Sequence, residues 1–464
     1  MLRMHNGDAQ SMSLDLGQDP VVTKVADLLP GFHASMRPAS DWGLGVEYER
    51  LPVDPTLGSV RGYEGSGGVA EALAALEGVG WRRARNAGGD PFHIHDGGLG
   101  TLTLEPGGQL ELSGAIVADV HRAVEQMERE RALLVEATKK LDIAWVGLGY
   151  HPFSGLDDVP WAMKPRYRVM GPYLRSRGRL AHSMMRLTAT VQTNLDFESE
   201  EDMAEKFMVA SWATPLLVAL FANSPLAAGK HSGALSTRSL AWRETDSDRC
   251  GFVRKGLEPG FTFGDYIEYL LDVPMFFIVR DGRYIPMTHC TFRQYMVDGD
   301  RDERATLADW ELHKSTVFPE VRLRGPLEVR AADAQSPELA PSVVALSCGL
   351  LYDAGARAAV LDLVAGIPLS SMNELLVDAA RLGPDAIAGS HRIGDLLPAL
   401  IEIAREGLRS RARLNSEGQD EAIYLEPLQD LVVDRGLVPA TDLLRRWEGE
   451  WRKRADALVE AYRF

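Results

Sequence analysis

Thr101-Leu-Thr-Leu-Glu-Pro-Gly-Gly-Gln-Leu-Glu-Leu-Ser113 alternates apolar and polar residues on both sides of Pro106-Gly107-Gly108. Side chains of an extended chain point alternately to opposite faces. Leu102, Leu104, Leu110 and Leu112 therefore share an apolar face, and Thr101, Thr103, Glu105, Gln109, Glu111 and Ser113 a polar one. A turn of this composition between two alternating runs predicts an antiparallel hairpin with one wet side.

Three further segments follow the same rule. Gly45-Val-Glu-Tyr-Glu-Arg50 puts Glu47 and Glu49 opposite Val46 and Tyr48. Thr188-Ala-Thr-Val-Gln-Thr-Asn-Leu-Asp-Phe197 groups Thr188, Thr190, Gln192, Asn194 and Asp196 against Ala189, Val191, Leu195 and Phe197. Val321-Arg-Leu-Arg-Gly-Pro-Leu-Glu-Val-Arg330 presents Arg322, Arg324, Glu328 and Arg330 against Val321, Leu323, Leu327 and Val329. Elsewhere helical spacing dominates: Val69 to Leu76, Ile116 to Leu141, and nearly all of residues 340–464. In that last region the spacing predicts helical segments near Val343 to Val364, then Ser370 to Leu382, Ile393 to Glu406, Leu425 to Arg435 and Ala440 to Tyr462. The expected class is α+β, with one mostly antiparallel sheet, helices behind it and a helical C-terminal part.

The 464 residues are 45% hydrophobic, enough for a large core. Residues 1–20 read as a disordered tail and 21–464 as a single domain, with 340–464 its helical part. Lys+Arg number 50 and Asp+Glu 66, a formal charge of -16. Such a surface repels nucleic acid and anionic lipid, so neither is an expected partner. Cys250, Cys290 and Cys348 are odd in number and far apart, which argues against a disulfide scaffold and for a reducing compartment. No apolar signal core opens the chain, and the apolar run Phe207 to Ala222 is interrupted by Ser211, Thr214 and Pro215. It falls short of a spanning helix and reads as a buried one. The expected location is the cytoplasm.

One wet sheet face is ordinary in antiparallel sheets. This one is unusual in what it carries: Glu47, Glu49, Glu105, Glu111 and Glu328, with Asp196, amides, and three arginines. Clustered carboxylates repel unless cations lie between them, and oxygen-only sets suit hard ions, chiefly Mg²⁺. Arginines grip phosphate or carboxylate through a planar fork. A ligand that bridges metal and guanidinium fits both, as a metal–nucleoside triphosphate with an acidic substrate would. Other motifs carry less. There is no G-x-x-x-x-G-K-[ST] loop, and Gly65-Ser-Gly-Gly68 reads as a plain helix start rather than an anion cradle. His93-Ile-His95-Asp96 lacks further zinc ligands, and Ser183 and Ser232 have no nucleophile motif around them.

Several runs resemble glutamate–cysteine ligases of the plant and proteobacterial type. They are Gly45 to Glu49, Leu104-Glu-Pro-Gly-Gly-Gln-Leu-Glu-Leu-Ser-Gly-Ala115, Met184 to Phe197, and Phe221-Ala-Asn-Ser-Pro225. Ser236-Thr-Arg-Ser239 with Trp242, Asp272-Val-Pro-Met275, Thr291-Phe-Arg293 and Val317-Phe-Pro-Glu-Val-Arg-Leu323 continue the pattern. The resemblance starts near residue 40, is dense to Asp353 and is thinner beyond.

The resemblance implies a curved, glutamine synthetase-like antiparallel sheet that cradles ATP and Mg²⁺, with Mn²⁺ as the alternative ion. It implies that ATP phosphorylates the γ-carboxylate of L-glutamate and that the amine of L-cysteine displaces phosphate, the first step of glutathione synthesis. Glu47, Glu49, Glu105 and Glu328, with Gln192, match the metal-binding positions. Asn194 and Arg330 match positions facing the transferring phosphoryl group, and Arg322 a nucleotide position. Arg238, Trp242 and Thr190 match the glutamate site, with Arg238 on the α-carboxylate. The family's plant members carry a regulatory hairpin disulfide, but Cys290 has no second cysteine before Cys348. The glycine expected after Arg330 is replaced by Ala331. Two other readings remain open: a γ-glutamyl ligase for another amine, and a nucleotide-binding relative without activity. A monomer or homodimer is expected.

Overall fold

A computed structural model describes residues 19–84, 94–96, 98–162 and 164–464. The expected tail thus falls almost wholly outside the described residues, as do His93 and the side chain of His95.

The four alternating segments supply six strands of one nine-stranded sheet, and three short strands that the alternation did not mark complete it. Its strands are β1 (Leu44–Val53), β2 (Arg82–Ala84), β3 (Ile94–Asp96), β4 (Gly100–Leu104), β5 (Leu110–Gly114), β6 (Ala144–Val146), β7 (Val191–Leu195), β8 (Val321–Leu323) and β9 (Leu327–Val329). The order is β8-β9-β7-β1-β5-β4-β3-β2, with β6 pairing the end of β1, and every pairing is antiparallel. The fourth alternating segment is itself a hairpin, since Gly325-Pro326 stops the ladder between β8 and β9.

The turn at Pro106-Gly107-Gly108 has a steric reason for glycine. A Cβ on Gly107 would lie 2.1 Å from the Arg186 carbonyl oxygen. Gln109, placed on the polar face by its spacing, is buried; its amide donates to the carbonyls of Met185 and Thr188 at 3.3 and 2.8 Å. It fixes the hairpin rather than facing the cleft.

Of helices α1 (Val69–Glu77), α2 (Val120–Thr138), α3 (Glu200–Leu220), α4 (Thr237–Arg243), α5 (Ala340–Tyr352), α6 (Ala354–Val364), α7 (Met372–Leu382), α8 (Ile393–Arg411), α9 (Pro439–Glu448) and α10 (Ala455–Tyr462), α1, α2, α3, α5 and α10 pack against the sheet, α4 packs against α7, and α5 to α10 build the C-terminal part. Two expected continuous segments are broken. The run near Val343 to Val364 bends by 96° where Asp353, in an extended conformation, caps α6 through the amide of Ala356. Ala440 to Tyr462 splits into α9 and α10, because Gly449 ends the first and Arg452 and Lys453 take positive φ. The Leu425 to Arg435 segment is irregular, with a π-helical stretch at Gln429–Asp434.

Helix α3 is long and apolar enough to cross a membrane by composition alone, yet 78% of that window is buried in the protein. Lys206 on this helix is fully buried. Its ammonium sits 3.4 Å from the centre of the Trp42 ring and donates to Asp202 at 2.7 Å. On the core side of β1, Arg50 is fully buried against Glu130 of α2 through two bonds of 2.7 and 2.5 Å. A buried charge of this kind persists only when paired. The chain's last residues close the same corner: the Phe464 ring lies under Arg50, its amide donates to Trp145, and Tyr462 accepts from Gly147.

Candidate active site

The register sorts the polar side chains into rows across the sheet. Gln192, Glu47, Ser113 and Thr101 form one row; Glu49, Glu111 and Thr103 form the next, two residues along. Glu328 stands beside Asn194, and Arg322 stands opposite Glu328. Sequence-distant residues thus meet because antiparallel partners face one another on the same side.

At the β8–β9 end the charges are matched. Arg322 grips Glu328 through Nε and Nη2 at 2.5 and 3.0 Å. Arg330 Nη1 donates both to Glu328 and to Gln192. Burial alone would raise the Glu328 carboxyl, but Arg322 and Arg330 hold it down to about 2. Gln192 and Asn194 donate to the two oxygens of Glu47 at 3.1 and 3.3 Å.

Toward β5 and β4 the charges are unmatched. Among the described residues no ion pair reaches Glu47, Glu49, Glu105 or Glu111. Burial and Glu328 push Glu47 up; burial, Glu105 and Glu111 push Glu49 well up. Burial, Glu47 and Glu105 push Glu111 up to about 8. Ser113 donates to Glu111 at 2.6 Å, which only partly offsets this. No three His, Cys, Asp or Glu side chains among the described residues form a ready cage for a metal. The donor chemistry nevertheless fits a hard cation: all oxygen, partly buried, and short of counter-charge.

Beyond β9 the chain lines a narrow cleft with Arg238, Ser239, Trp242, Phe318, Glu320 and Arg330. Arg238 rises from α4, whose N-cap Ser236 accepts from the Ser239 amide. Its guanidinium donates to the Arg330 carbonyl at 3.0 Å and lies 4.0 Å from Asp333. Asp333 accepts from the hydroxyls of Ser224 and Ser236 at 2.6 and 2.8 Å and from the Asn223 amide at 2.8 Å. Trp242 stacks its ring 5.4 Å from the Arg330 guanidinium, and its buried indole nitrogen has no partner among the described residues.

The structure therefore brings Glu47, Gln192, Asn194, Arg322, Glu328 and Arg330 into direct contact, and seats Arg238 and Trp242 beside Arg330. Glu49 and Glu105 lie in the adjoining carboxylate group. Thr190 differs: it is buried, and its hydroxyl donates to the Ala332 carbonyl at 2.7 Å. That bond commits it to holding the strand after Arg330. Glu320 and Asp333 were not singled out by the sequence, and Glu111 was counted among the carboxylates of the polar face without a role. Glu111 carried a signal, its place on the polar face; Asp333 and Glu320 are recruited by tertiary packing. The Gly65-Ser-Gly-Gly68 turn offers no free anion cradle at Gly67, whose amide donates to Glu71 at 2.9 Å.

Comparison with known proteins gives a consistent answer. Residues 43–461 match the model of glutamate–cysteine ligase family 2. The chloroplastic glutamate–cysteine ligase of Brassica juncea is 33% identical over 438 residues, covering 94% of this chain and 83% of the relative. That of Arabidopsis thaliana is 33% identical over 438 residues, covering 94% and 82%. Among solved structures, the Francisella tularensis glutamate–cysteine ligase in complex with AMP superposes with a TM-score of 0.55 at 13% identity, covering 90% of this chain and 86% of that one. This last likeness speaks for the fold.

Proposed function

The chain belongs to glutamate–cysteine ligase family 2, and from that premise we propose that its cleft joins L-glutamate to L-cysteine at the expense of ATP, by way of a γ-glutamyl phosphate. It is a ligase, and its product is γ-glutamylcysteine, the precursor of glutathione. The observation that carries the reading is the family match along residues 43–461. The pairing of guanidiniums and uncompensated carboxylates on one sheet face supports it.

In this reading Arg238 holds the α-carboxylate of glutamate, and Trp242 walls the cleft. The γ-carboxylate then lies toward Arg330 and Asn194. Its oxygen attacks the terminal phosphorus of ATP, and ADP leaves. Arg330 and Asn194 stabilise the negative charge that spreads over the transferring phosphoryl oxygens. The cysteine amine next attacks the acyl carbon; phosphate departs with the former carboxylate oxygen, and the amine loses a proton. Arg322 keeps Glu328 ionised and in place and contributes positive charge toward the nucleotide. Glu47, Glu49, Glu105 and Glu328, with the Gln192 amide, would hold Mg²⁺, or Mn²⁺ in its stead. When bound, such an ion neutralises phosphate charge and supplies Lewis acidity. Thr190 acts at one remove, by fixing the backbone after Arg330. A monomer or homodimer in a reducing, cytoplasmic setting is part of the same proposal; the three free cysteines fit the reducing setting.

The test is ADP release with ATP, Mg²⁺ and glutamate against a panel of amines. Cysteine is expected to be best. 2-Aminobutyrate should follow within about 10- to 200-fold, since an apolar contact to sulfur discriminates only on the scale of a methylene. Serine should be poorer, because its hydroxyl loses water without an assured partner. Faster turnover with an amine lacking a thiol would overturn the cysteine assignment. No glutamate-dependent ADP with any amine or with hydroxylamine would overturn the ligase reading.

A further inference from the structure

The cleft that holds Arg238 also holds a carboxylate with no function in the chemistry above. Glu320 lies on the cleft wall with Arg238, Trp242 and Arg330. Among the described residues no ion pair reaches it, although Arg243, Arg238 and Arg330 all act on it through space. Burial pushes its carboxyl up although the residue is only half-buried, and no side-chain hydrogen bond holds it among the described residues.

Its position is rigidly set. The amide of Glu320 donates to the Gly251 carbonyl at 2.9 Å, and the Phe318 amide to the Arg249 carbonyl at 2.7 Å. Arg249 is fully buried, and its guanidinium ties together Asp246, Thr316 and Pro274 at 2.7, 3.0 and 2.8 Å. Gly251 has positive φ, and a Cβ there would lie 2.2 Å from the Arg243 guanidinium. The backbone around Glu320 is thus clamped, as a recognition group must be if binding is not to be spent on ordering it.

The charges of the cleft are two guanidiniums and one carboxylate. Free glutamate carries two carboxylates and one ammonium, the complementary set. We propose that Glu320 recognises the α-ammonium of glutamate, so that the cleft selects an α-amino dicarboxylate over the dicarboxylate without the amine. This rests on the ligase reading, with Arg238 on the α-carboxylate and Arg330 beside the γ-carboxylate. It makes Glu320 a specificity-determining residue, acting on an atom that takes no part in bond making.

The experiment compares kcat/KM for L-glutamate with that for glutarate, each with ATP, Mg²⁺ and cysteine, in the wild type and in Glu320→Gln. Charge-assisted hydrogen bonds are about twice as strong as neutral ones. The wild-type preference for glutamate should therefore fall by about 10- to 100-fold in Glu320→Gln, chiefly through the KM for glutamate, with glutarate little changed. Glu320→Asp, which keeps the charge one methylene short, should restore part of the preference. The ratio of the two acids is independent of the fraction of folded enzyme. If Glu320→Gln yields no soluble protein, Glu320→Asp carries the test, with an expected several-fold loss. An unchanged ratio in a soluble variant, with both acids slowed alike, overturns the proposal and leaves the ligase reading standing. Turnover of neither acid by the wild type overturns the ligase reading and this inference together.

Discussion

Arg322 and Glu328 stand directly opposite each other in the β8–β9 hairpin and are joined by two bonds of 2.5 and 3.0 Å. Glu328 is also the carboxylate that pushes Glu47 up across the next strands. Glu328 and Glu47 were read alike from sequence as metal ligands, yet Glu328 is ion-paired to two arginines and Glu47 is held only by amide hydrogen bonds.

That contrast separates two variants. Glu328→Gln strips the partner from two buried guanidiniums, so it should destabilise the fold by about 3–5 kcal/mol as well as abolish turnover. Glu47→Gln should reduce kcat/KM at least about 100-fold while leaving metal-free stability equal or higher, because it removes a repelled charge. Urea unfolding and steady-state kinetics on both variants check this. Near-normal activity of Glu47→Gln at saturating Mg²⁺ would take it out of the site.

Chelation should stop turnover, and Mg²⁺ should restore it and raise the melting temperature. Glu49→Gln and Glu105→Gln should each weaken that thermal response, since a hard anionic oxygen is replaced by a poorer ligand. Differential scanning calorimetry with and without Mg²⁺ reads both effects. An identical Mg²⁺ response in both variants would place the ion elsewhere.

Arg238→Lys should raise the KM for glutamate by about 10- to 100-fold with a smaller change in kcat. Lysine keeps the charge, but it cannot bond the Arg330 carbonyl and present a planar fork at the same time. An unchanged KM would assign the α-carboxylate to another group.

Two buried histidines should make the protein acid-sensitive. Burial lowers His151 to about 3 and His313 to about 4. Both lie below the unfolded value, so the unfolded chain takes up protons first as pH falls. Their contribution is complete above about pH 6.5 and is lost progressively toward pH 4 and below, by about 2 kcal/mol per histidine at pH 5. Neither ring nitrogen of His151 has a partner among the described residues, so His151→Leu should flatten this slope. Urea unfolding from pH 7 to pH 5 measures it, and equal slopes in wild type and variant would remove His151 as a cause.

Cys250, Cys290 and Cys348 are free, and burial pushes Cys290 up to about 11 and the other two to about 12. Thiolate is the reactive form. Activity and melting temperature should therefore be the same with and without dithiothreitol. An intramolecular bridge found by mass spectrometry in active protein would contradict this.

The sheet was legible because alternation is a local property. Leu102, Leu104, Leu110 and Leu112 announce their face without help from the rest of the chain, and Glu47 and Glu49 announce theirs. Arg50 broke the pattern silently: it continues β1 on the core face, and only the distant Glu130 makes that tolerable. Asp333 and Glu320 were invisible for the same reason, since their meaning comes from Ser224, Ser236 and the cleft they enter. Helix ends were misread where capping outweighs periodicity, as at Asp353, or where backbone conformation does, as at Arg452 and Lys453. The arginine pairing of Glu328 could not be read either, because a strand pattern gives the face of a residue but not its partner.

The corner built by Arg50, Phe464 and Trp145 bears on how the protein reaches this state. Strand β1 meets β5 early in synthesis, but β7 and β9 lie far along the chain, and Tyr462 and Phe464 bond the segment around β6 only after translation has reached them. Pairings of such long reach must close large loops before any contact rewards them, so assembly is slow. Until those late-made neighbours arrive the central strand stays unclosed, and that interval is when this molecule is most open to aggregation and to chaperones.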